Sequence, residues 1–195
     1  MWARASSCRS RRAPWGSGPA RPGSRQPSAS ESWSISLCLV LDDHAPVLAL
    51  LPGSRSSEVT RLAPVFAGAA TAIAAGDKDV HFVTPVAAPK VRAVIEASLQ
   101  QNAIADRFTI IDGRSIEAMS AADLVLLASG TAALESALLG KPTVAAYRVA
   151  ALTYWITKTF GLVKVAQFTL PNLLAGEVLI PEFIQDDADP SKIAG

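Results

Sequence analysis

Short apolar runs separated by segments of helical periodicity constrain the fold of this chain more than any other feature. The runs occupy residues 47–51, 80–84, 108–111, 124–128 and 143–147. They are largely apolar rather than alternating, which is typical of strands buried on both faces of a parallel sheet. Repeated strand–helix units need right-handed crossovers, which place helices on both faces. The sequence therefore predicts an α/β fold with a Rossmann-like parallel sheet.

Prolines and glycines indicate where these strands and helices end. Apolar residues recur at helical spacing from Val59 to Ile73, and Gly76 is expected to end that helix. Pro64 does not fit the pattern, because it cannot donate a helical hydrogen bond; it either kinks the helix or marks the first turn of its regular part. Pro85 is expected in the turn that follows the second strand.

The first part of the chain differs in composition from the rest. Residues 1–45 hold six Arg, no Lys and three acidic residues, whereas residues 46–195 hold 12 basic and 14 acidic residues. A mildly acidic domain without a cluster of Lys and Arg does not indicate nucleic-acid binding. We interpret residues 1–41 as a disordered leader rich in Ser, Arg, Pro and Gly, and residues 42–195 as the folded domain.

The leader has two interpretations. A non-native leader on a truncated gene product is preferred, and an organelle transit peptide is second because prolines interrupt the amphipathic helix that such peptides need.

Cys8 and Cys38 both lie in the leader, so the domain has no disulfide, thiolate metal site or cysteine nucleophile, which fits a reducing compartment. His44 and His81 are far apart and are interpreted as structural residues rather than metal ligands.

Two small-residue loops are the candidates for chemistry. Pro52-Gly53-Ser54-Arg55 ends the first strand and precedes a helix, where free backbone N–H groups, the helix dipole and a guanidinium suit an anion such as phosphate. Ser129-Gly130-Thr131 occupies the same position after the fourth strand. Ligands of parallel sheets bind at these carboxyl ends. An ordinary loop with a surface arginine remains the alternative for the first of them.

Glu135 lies one turn into the helix that follows the second loop. A carboxylate there is placed to accept hydrogen bonds from ribose hydroxyls, as in other dinucleotide folds. The alternative is a solvated acid that pairs with Lys141. No GxxxxGK[ST] motif is present and no GxGxxG follows a strand, which disfavours a P-loop triphosphatase and a nicotinamide-dependent redox enzyme.

Five ordered blocks carry a resemblance to a known family. They are Leu50-Leu51-Pro52-Gly53-Ser54-Arg55 with Glu58-Val59; Ala122-Asp123-Leu124 with Ser129-Gly130-Thr131-Ala132-Ala133-Leu134-Glu135; Lys141-Pro142 with Tyr147-Arg148-Val149; Leu170-Pro171-Asn172; and Pro181-Glu182-Phe183-Ile184-Gln185. In order and spacing, from about Asp42 to the end, they resemble the lipid-A-disaccharide synthase family.

The resemblance implies an inverting glycosyltransferase of the two-domain GT-B type, of which this chain would be the C-terminal, nucleotide-sugar-binding half. Such an enzyme joins UDP-2,3-diacylglucosamine to 2,3-diacylglucosamine 1-phosphate (lipid X), giving a β-1,6-linked disaccharide and UDP. No cofactor and no metal are implied. Other interpretations are a UDP-sugar epimerase, half of a different GT-B transferase, or a non-catalytic remnant.

The family also implies roles for single residues. Arg55 would be catalytic by stabilising the leaving diphosphate, and Glu135 would hold the ribose. The residues expected around the UDP-sugar are Gly53, Ser54, Arg55, Ser129, Gly130, Thr131, Glu135, Asn172 and Gln185.

The departures from the family pattern lead to further expectations. Residues 1–41 match nothing of the family's N-terminal domain, with its GEASGD-like loop and catalytic base, and the chain stops just after Asp189-Pro190 begins another helix. We therefore expect a fragment that is incomplete at its C-terminus and inactive alone. Family members are implied to be homodimers with an exchanged C-terminal part.

The implied location is cytoplasmic and peripheral, on the inner face of the bacterial inner membrane. No span of 18 apolar residues is expected to cross it. A helical stripe in residues 149–163 indicates core or interdomain packing, or contact with a membrane or partner. The stripe consists of Leu152, Trp155, Ile156, Phe160 and Val163.

Overall fold

The computed structural model describes residues 45–128, 130–148 and 167–195. Its strands are β1 (Val47–Leu51), β2 (His81–Val86), β3 (Phe108–Asp112), β4 (Leu124–Ala128), β5 (Thr143–Tyr147) and β6 (Glu182–Ile184). Its α-helices are α1 (Ser56–Gly76), α2 (Pro89–Gln101), α3 (Ser115–Ala121), α4 (Thr131–Leu138), α5 (Leu170–Ala175) and α6 (Pro190–Ala194). Two 3₁₀ turns, Ala105–Arg107 and Gln185–Asp187, complete the described elements.

The strands form one six-stranded sheet in the order β3-β2-β1-β4-β5-β6, and every pair is parallel. This is the strand order of a Rossmann fold, in which the order of the strands along the sheet reverses between β1 and β4. The predicted fold class is confirmed.

Two apolar clusters lie on opposite faces of the sheet, because successive strand residues point to opposite sides. On β1, Leu48 and Leu50 pack with α1 and α2, whereas Val47, Ala49 and Leu51 pack with α3 and α4. α6 lies with the first cluster through Ile193. The helices therefore cover both faces, as the apolar runs predict.

Helix α1 supplies most of the first cluster. Its buried residues are Val59, Leu62, Ala63, Val65, Phe66, Ala67, Ala69 and Ala70. Pro64 lies well inside this helix rather than in its first turn, so that alternative was wrong. Within the described ranges, α1 is also the one helix long and apolar enough to cross a membrane, which the sequence interpretation did not foresee. Eight of its apolar residues are buried, and they pack in the first cluster with the sheet and with α2.

The strand boundaries differ from expectation at two places. Pro85 belongs to β2 rather than to the following turn. It is tolerated because β1 pairs with β2 only as far as Val83, so at Pro85 the strand pairs with β3 alone. The short strand β6 was not predicted, although it lies in one of the five blocks. The helix expected at Asp189-Pro190 is confirmed, and the Asp189 carboxylate accepts from the Ser191 N–H.

Several expectations lie outside the described residues. They concern the leader with Cys8 and Cys38, His44, and the apolar stripe of residues 149–163. The division at residue 42 stays a prediction.

Candidate functional site

The two loops singled out in the sequence lie beside each other. β1 and β4 are neighbours, with Leu51 opposite Leu127 in the parallel register. The loops that leave these strands therefore emerge from adjacent points of the carboxyl edge, at the reversal of strand order. That position is where open α/β sheets bind their ligands.

The first loop is tightly wound and ends in exposed polar side chains. Pro52 is buried and Gly53 is half-buried, whereas Ser54 and Arg55 are exposed. Gly53 has φ +113°, a value that residues with a side chain rarely adopt. The loop consequently presents the Arg55 guanidinium to solvent at the start of α1.

A side chain from α1 folds back onto this loop. A Cβ placed on Gly53 would lie 2.2 Å from Glu58 Oε2, so the space that glycine leaves open is taken by the Glu58 carboxylate. That carboxylate lies beside the backbone of the loop. Burial raises the pKa of Glu58, and the nearby backbone N–H groups of Ser54 and Arg55 and the charge of Arg55 oppose the increase. The space through which an anion would approach the loop amides is thus taken by a carboxylate of the chain.

The second loop ends at Gly130, which has φ +133° and, as the N-cap of α4, makes no side-chain cap. Thr131 is exposed and Glu135 is half-buried. Ser129, also predicted to contact the ligand, lies outside the described residues. The start of α4 therefore offers N–H donors and a hydroxyl in the loop next to the one that carries Arg55.

Lys141 was the alternative partner of Glu135. Its Nζ donates to the Ala122 carbonyl at 2.8 Å, which ties the loop before β5 to the loop before β4.

Asn172 is used inside the fold. It is fully buried, its Oδ1 accepts from the N–H groups of Leu179 and Ile180, and its Nδ2 donates to the Ile180 carbonyl and the Glu182 carboxylate. All four hydrogen-bonding positions of the amide are filled. Glu182 starts β6 and, through Ala145 and Leu127, lies level in the sheet with Leu51, the last residue of β1. Asn172 bonds Glu182 at this level of the sheet, and its contact with a ligand stays a prediction.

Gln185 lies at the same edge as the loops, directly after β6. Its backbone is left-handed, with φ +55°, which is uncommon for a residue with a side chain. Arg148, directly after β5, holds this turn: its Nε donates to the Gln185 carbonyl at 3.3 Å and its Nη2 to the Ala188 carbonyl at 2.7 Å. Three strand spacings separate β1 from β6, so the edge extends over roughly 14 Å.

A metal site is not apparent in the described ranges, where no group of three or more His, Cys, Asp or Glu side chains comes together. His81 lies in β2, as expected, and burial together with the charge of Arg107 lowers its pKa.

Sequence reasoning missed three polar residues that shape this edge. Glu58 is the third residue after Arg55, which directly precedes helix α1. An acid at this position commonly bonds back to the free N–H groups at the helix start, so the sequence contained a signal for its role. Arg148 and Glu182 belong to recognised blocks, but their partners are distant in the chain and could not be identified from spacing. The edge as a whole offers a guanidinium, helix N–H donors and a carboxylate to an elongated anionic ligand.

Comparison with known proteins identifies the family. A profile of the lipid-A-disaccharide synthetase family matches residues 26–195. The chain belongs to the lipid-A-disaccharide synthetase family. The match begins inside the segment that the sequence interpretation treated as a leader.

Curated relatives agree with this assignment. The lipid-A-disaccharide synthase of Alkalilimnicola ehrlichii is 46% identical over 169 residues, which cover 87% of this chain and 44% of that protein. The enzyme of the same name from Pseudomonas savastanoi is 47% identical over 156 residues, covering 80% of this chain and 40% of that protein. The chain thus spans less than half the length of these synthases.

Solved structures show the fold. The E. coli ADP-heptose lps heptosyltransferase II matches with a TM-score of 0.56 at 13% identity, over 92% of this chain and 53% of that one. The UDP-GlcNAc 2-epimerase of Neisseria meningitidis, solved with UDP-GlcNAc, matches with a TM-score of 0.54 at 16% identity, over 84% of this chain and 38% of that one. The synthetase-family chain has the Rossmann-like architecture of one half of a GT-B fold.

Proposed function

We propose that this chain is the nucleotide-sugar-binding half of a lipid-A-disaccharide synthase. The whole enzyme would transfer 2,3-diacylglucosamine from UDP to 2,3-diacylglucosamine 1-phosphate. The acceptor hydroxyl attacks the anomeric carbon, the bond from that carbon to the diphosphate oxygen breaks, and UDP leaves with the bonding electrons. The hydroxyl proton passes to a base, for which we propose no residue of this chain.

The observation that carries the proposal is the adjacency of the two loops at the reversal of strand order. A diphosphate placed between them would meet the Arg55 guanidinium from one side and the start of α4 from the other. Negative charge grows on the diphosphate as the sugar–oxygen bond breaks, so fixed donors there stabilise the transition state more than the ground state. Arg55 is accordingly assigned to leaving-group stabilisation.

The other predicted residues extend this site along the edge. Gly130 and Thr131 would supply N–H and hydroxyl donors to the diphosphate, with Ser129 before them, and Glu135 would accept from ribose hydroxyls. Gln185 would contact the ligand from the end of β6. No metal or organic cofactor is proposed.

The family assignment supports a transferase over a UDP-sugar epimerase or a non-catalytic remnant. Resemblance to the Neisseria epimerase is at 16% identity and is evidence of fold alone.

The test is the affinity of the 195-residue chain for UDP, measured by isothermal titration calorimetry. Arg55→Ala should weaken UDP binding by about 10- to 100-fold, since a hydrogen bond to a charged group contributes about 1.5–3 kcal/mol. The matched control is Arg61→Ala, which removes the same charge from an exposed position farther along α1. Wild-type protein that is folded but does not bind UDP would refute the proposal, and equal losses in both variants would refute the role of Arg55.

Peripheral contact with the inner face of the inner membrane and formation of a homodimer also belong to this proposal. Exposed apolar side chains at and after α5 support contact with lipid or a second chain: Leu173, Leu174, Val178 and Leu179. Co-sedimentation with anionic vesicles and multi-angle light scattering test the two parts separately. Protein that stays in the supernatant, or that elutes as a monomer, contradicts the respective part.

A further inference from the structure

The residue that shapes the first loop is Glu58, which the reaction proposed above does not itself use. Its carboxylate fills the space beside Gly53, next to the backbone N–H groups of Ser54 and Arg55. The positive φ of Gly53 favours glycine, and a Cβ at this position would require the Glu58 side chain to move.

The position of this carboxylate changes how the loop could hold an anion. Because the carboxylate lies beside the Ser54 and Arg55 amides, a phosphate would have to displace Glu58 to use them. The Arg55 side chain is exposed at the start of α1 and can meet a ligand without that displacement. The N–H groups at the start of α4 also lie outside this arrangement.

We propose that Glu58 is a positioning residue for nucleotide-diphosphate binding: it fixes the loop from Gly53 to Arg55 so that the Arg55 guanidinium, rather than the loop amides, meets the diphosphate. This inference rests on the proposed function. A misplaced guanidinium would bind the diphosphate less tightly, because the strength of a hydrogen bond to an anion depends on the orientation of the donor as well as on its charge.

The test is a double-mutant cycle on UDP affinity in the full chain, using wild type, Glu58→Ala, Arg55→Ala and the double variant. Glu58→Ala should weaken UDP binding by about tenfold, within the range of one impaired charged hydrogen bond. In the Arg55→Ala background the same substitution should have almost no effect, because the group that Glu58 positions is gone. Glu58→Gln, which keeps an acceptor and the shape, should restore part of the affinity.

Thermal unfolding of each variant separates this role from general support of the fold. A purely structural role would lower the melting temperature with or without Arg55 and give additive losses of affinity, which would overturn the inference. Tighter UDP binding by Glu58→Ala or Glu58→Gln would also overturn it, since the carboxylate would then be competing with phosphate for the amides. If Arg55→Ala weakens binding and Glu58→Ala does not, the proposed function stands and this inference fails.

Discussion

The polar residues of the recognised blocks fall into two groups: some side chains are exposed at the loops, and others contact the protein around them. Arg55 and Thr131 are exposed at the loop edge, whereas the Glu58 carboxylate folds back onto its own loop and Asn172 bonds the backbone around it. Residue type and motif membership do not distinguish the two groups, because both occur in the blocks that carry the family resemblance. A buried amide or carboxylate needs partners whether or not a ligand is present, so its use is decided by the folded surroundings.

Thr84 is the exception among buried polar side chains. It is 1% exposed, and its Oγ1 has no hydrogen-bond partner in the described part of the chain. The hydroxyl lies at a small apolar cavity lined by Leu50, Phe66 and Leu99 among others. Thr84→Val keeps the shape and removes an unsatisfied group, so it should raise the free energy of unfolding by about 1 kcal/mol in urea denaturation.

Thr143 offers a matched control for this change. It is also buried, but its Oγ1 lies 2.7 Å from Ser136 Oγ and donates to the Lys141 carbonyl at 2.9 Å. Thr143→Val should therefore lower the free energy of unfolding by about 1–2 kcal/mol. Equal destabilisation by both substitutions would contradict the account and indicate that the Thr84 hydroxyl has a partner, such as a buried water.

Among the elements, α5 and β6 depend on one hydrogen-bonded cluster rather than on apolar packing alone. The Glu182 carboxylate accepts from the N–H groups of Phe168 and Thr169, from the Thr169 hydroxyl and from Asn172. Asn172 in turn bonds the backbone of Leu179 and Ile180. This cluster joins the start of α5 to the start of β6, and α5 packs against α4 beside the candidate site.

Asn172→Asp should disrupt this joint. It replaces two N–H donors with an acceptor and places a second carboxylate against Glu182, where Asn172 Nδ2 now lies 2.8 Å from Oε1. We expect the free energy of unfolding to fall by about 3 kcal/mol. The control is Asn102→Asp, which loses a bond to the Ser98 carbonyl and should cost about 1 kcal/mol. If chemical denaturation shows similar losses of unfolding free energy in the two variants, the cluster contributes less to stability than its hydrogen bonds imply.

The elements that the sequence predicted well are those with long or fully apolar signals. The strands β1, β4 and β5 have the expected bounds because each is a run of apolar residues, preceded in β5 by Thr143, that ends at Pro or a polar loop. The strand β6 has three residues, all half-buried, and offers no periodicity to detect. Pro85 was misassigned because its place in β2 depends on where pairing with β1 ends, which is a property of the sheet.

At the scale of the whole molecule, the sequence could place both loops at the same edge of the sheet but could not make them neighbours. Parallel strands bring all their carboxyl ends to one edge, whereas adjacency depends on strand order, and the order β3-β2-β1-β4-β5-β6 is not encoded in any single segment. The observed order puts β1 beside β4 and thereby brings the loop that carries Arg55 next to the loop that leads into α4. It also places Gln185, directly after β6, at that edge.

The central claim is that UDP binds at this reversal of strand order, and hydrogen–deuterium exchange of the full chain with and without UDP tests it most directly. The account predicts slower exchange at the start of α4, in residues 130–135. It predicts a smaller change in residues 53–58, where the Glu58 carboxylate lies beside the Ser54 and Arg55 amides. Peptides from the far side of the sheet, in residues 105–112, should be unaffected. Saturating UDP that slows exchange elsewhere and leaves both loops unchanged would contradict the account.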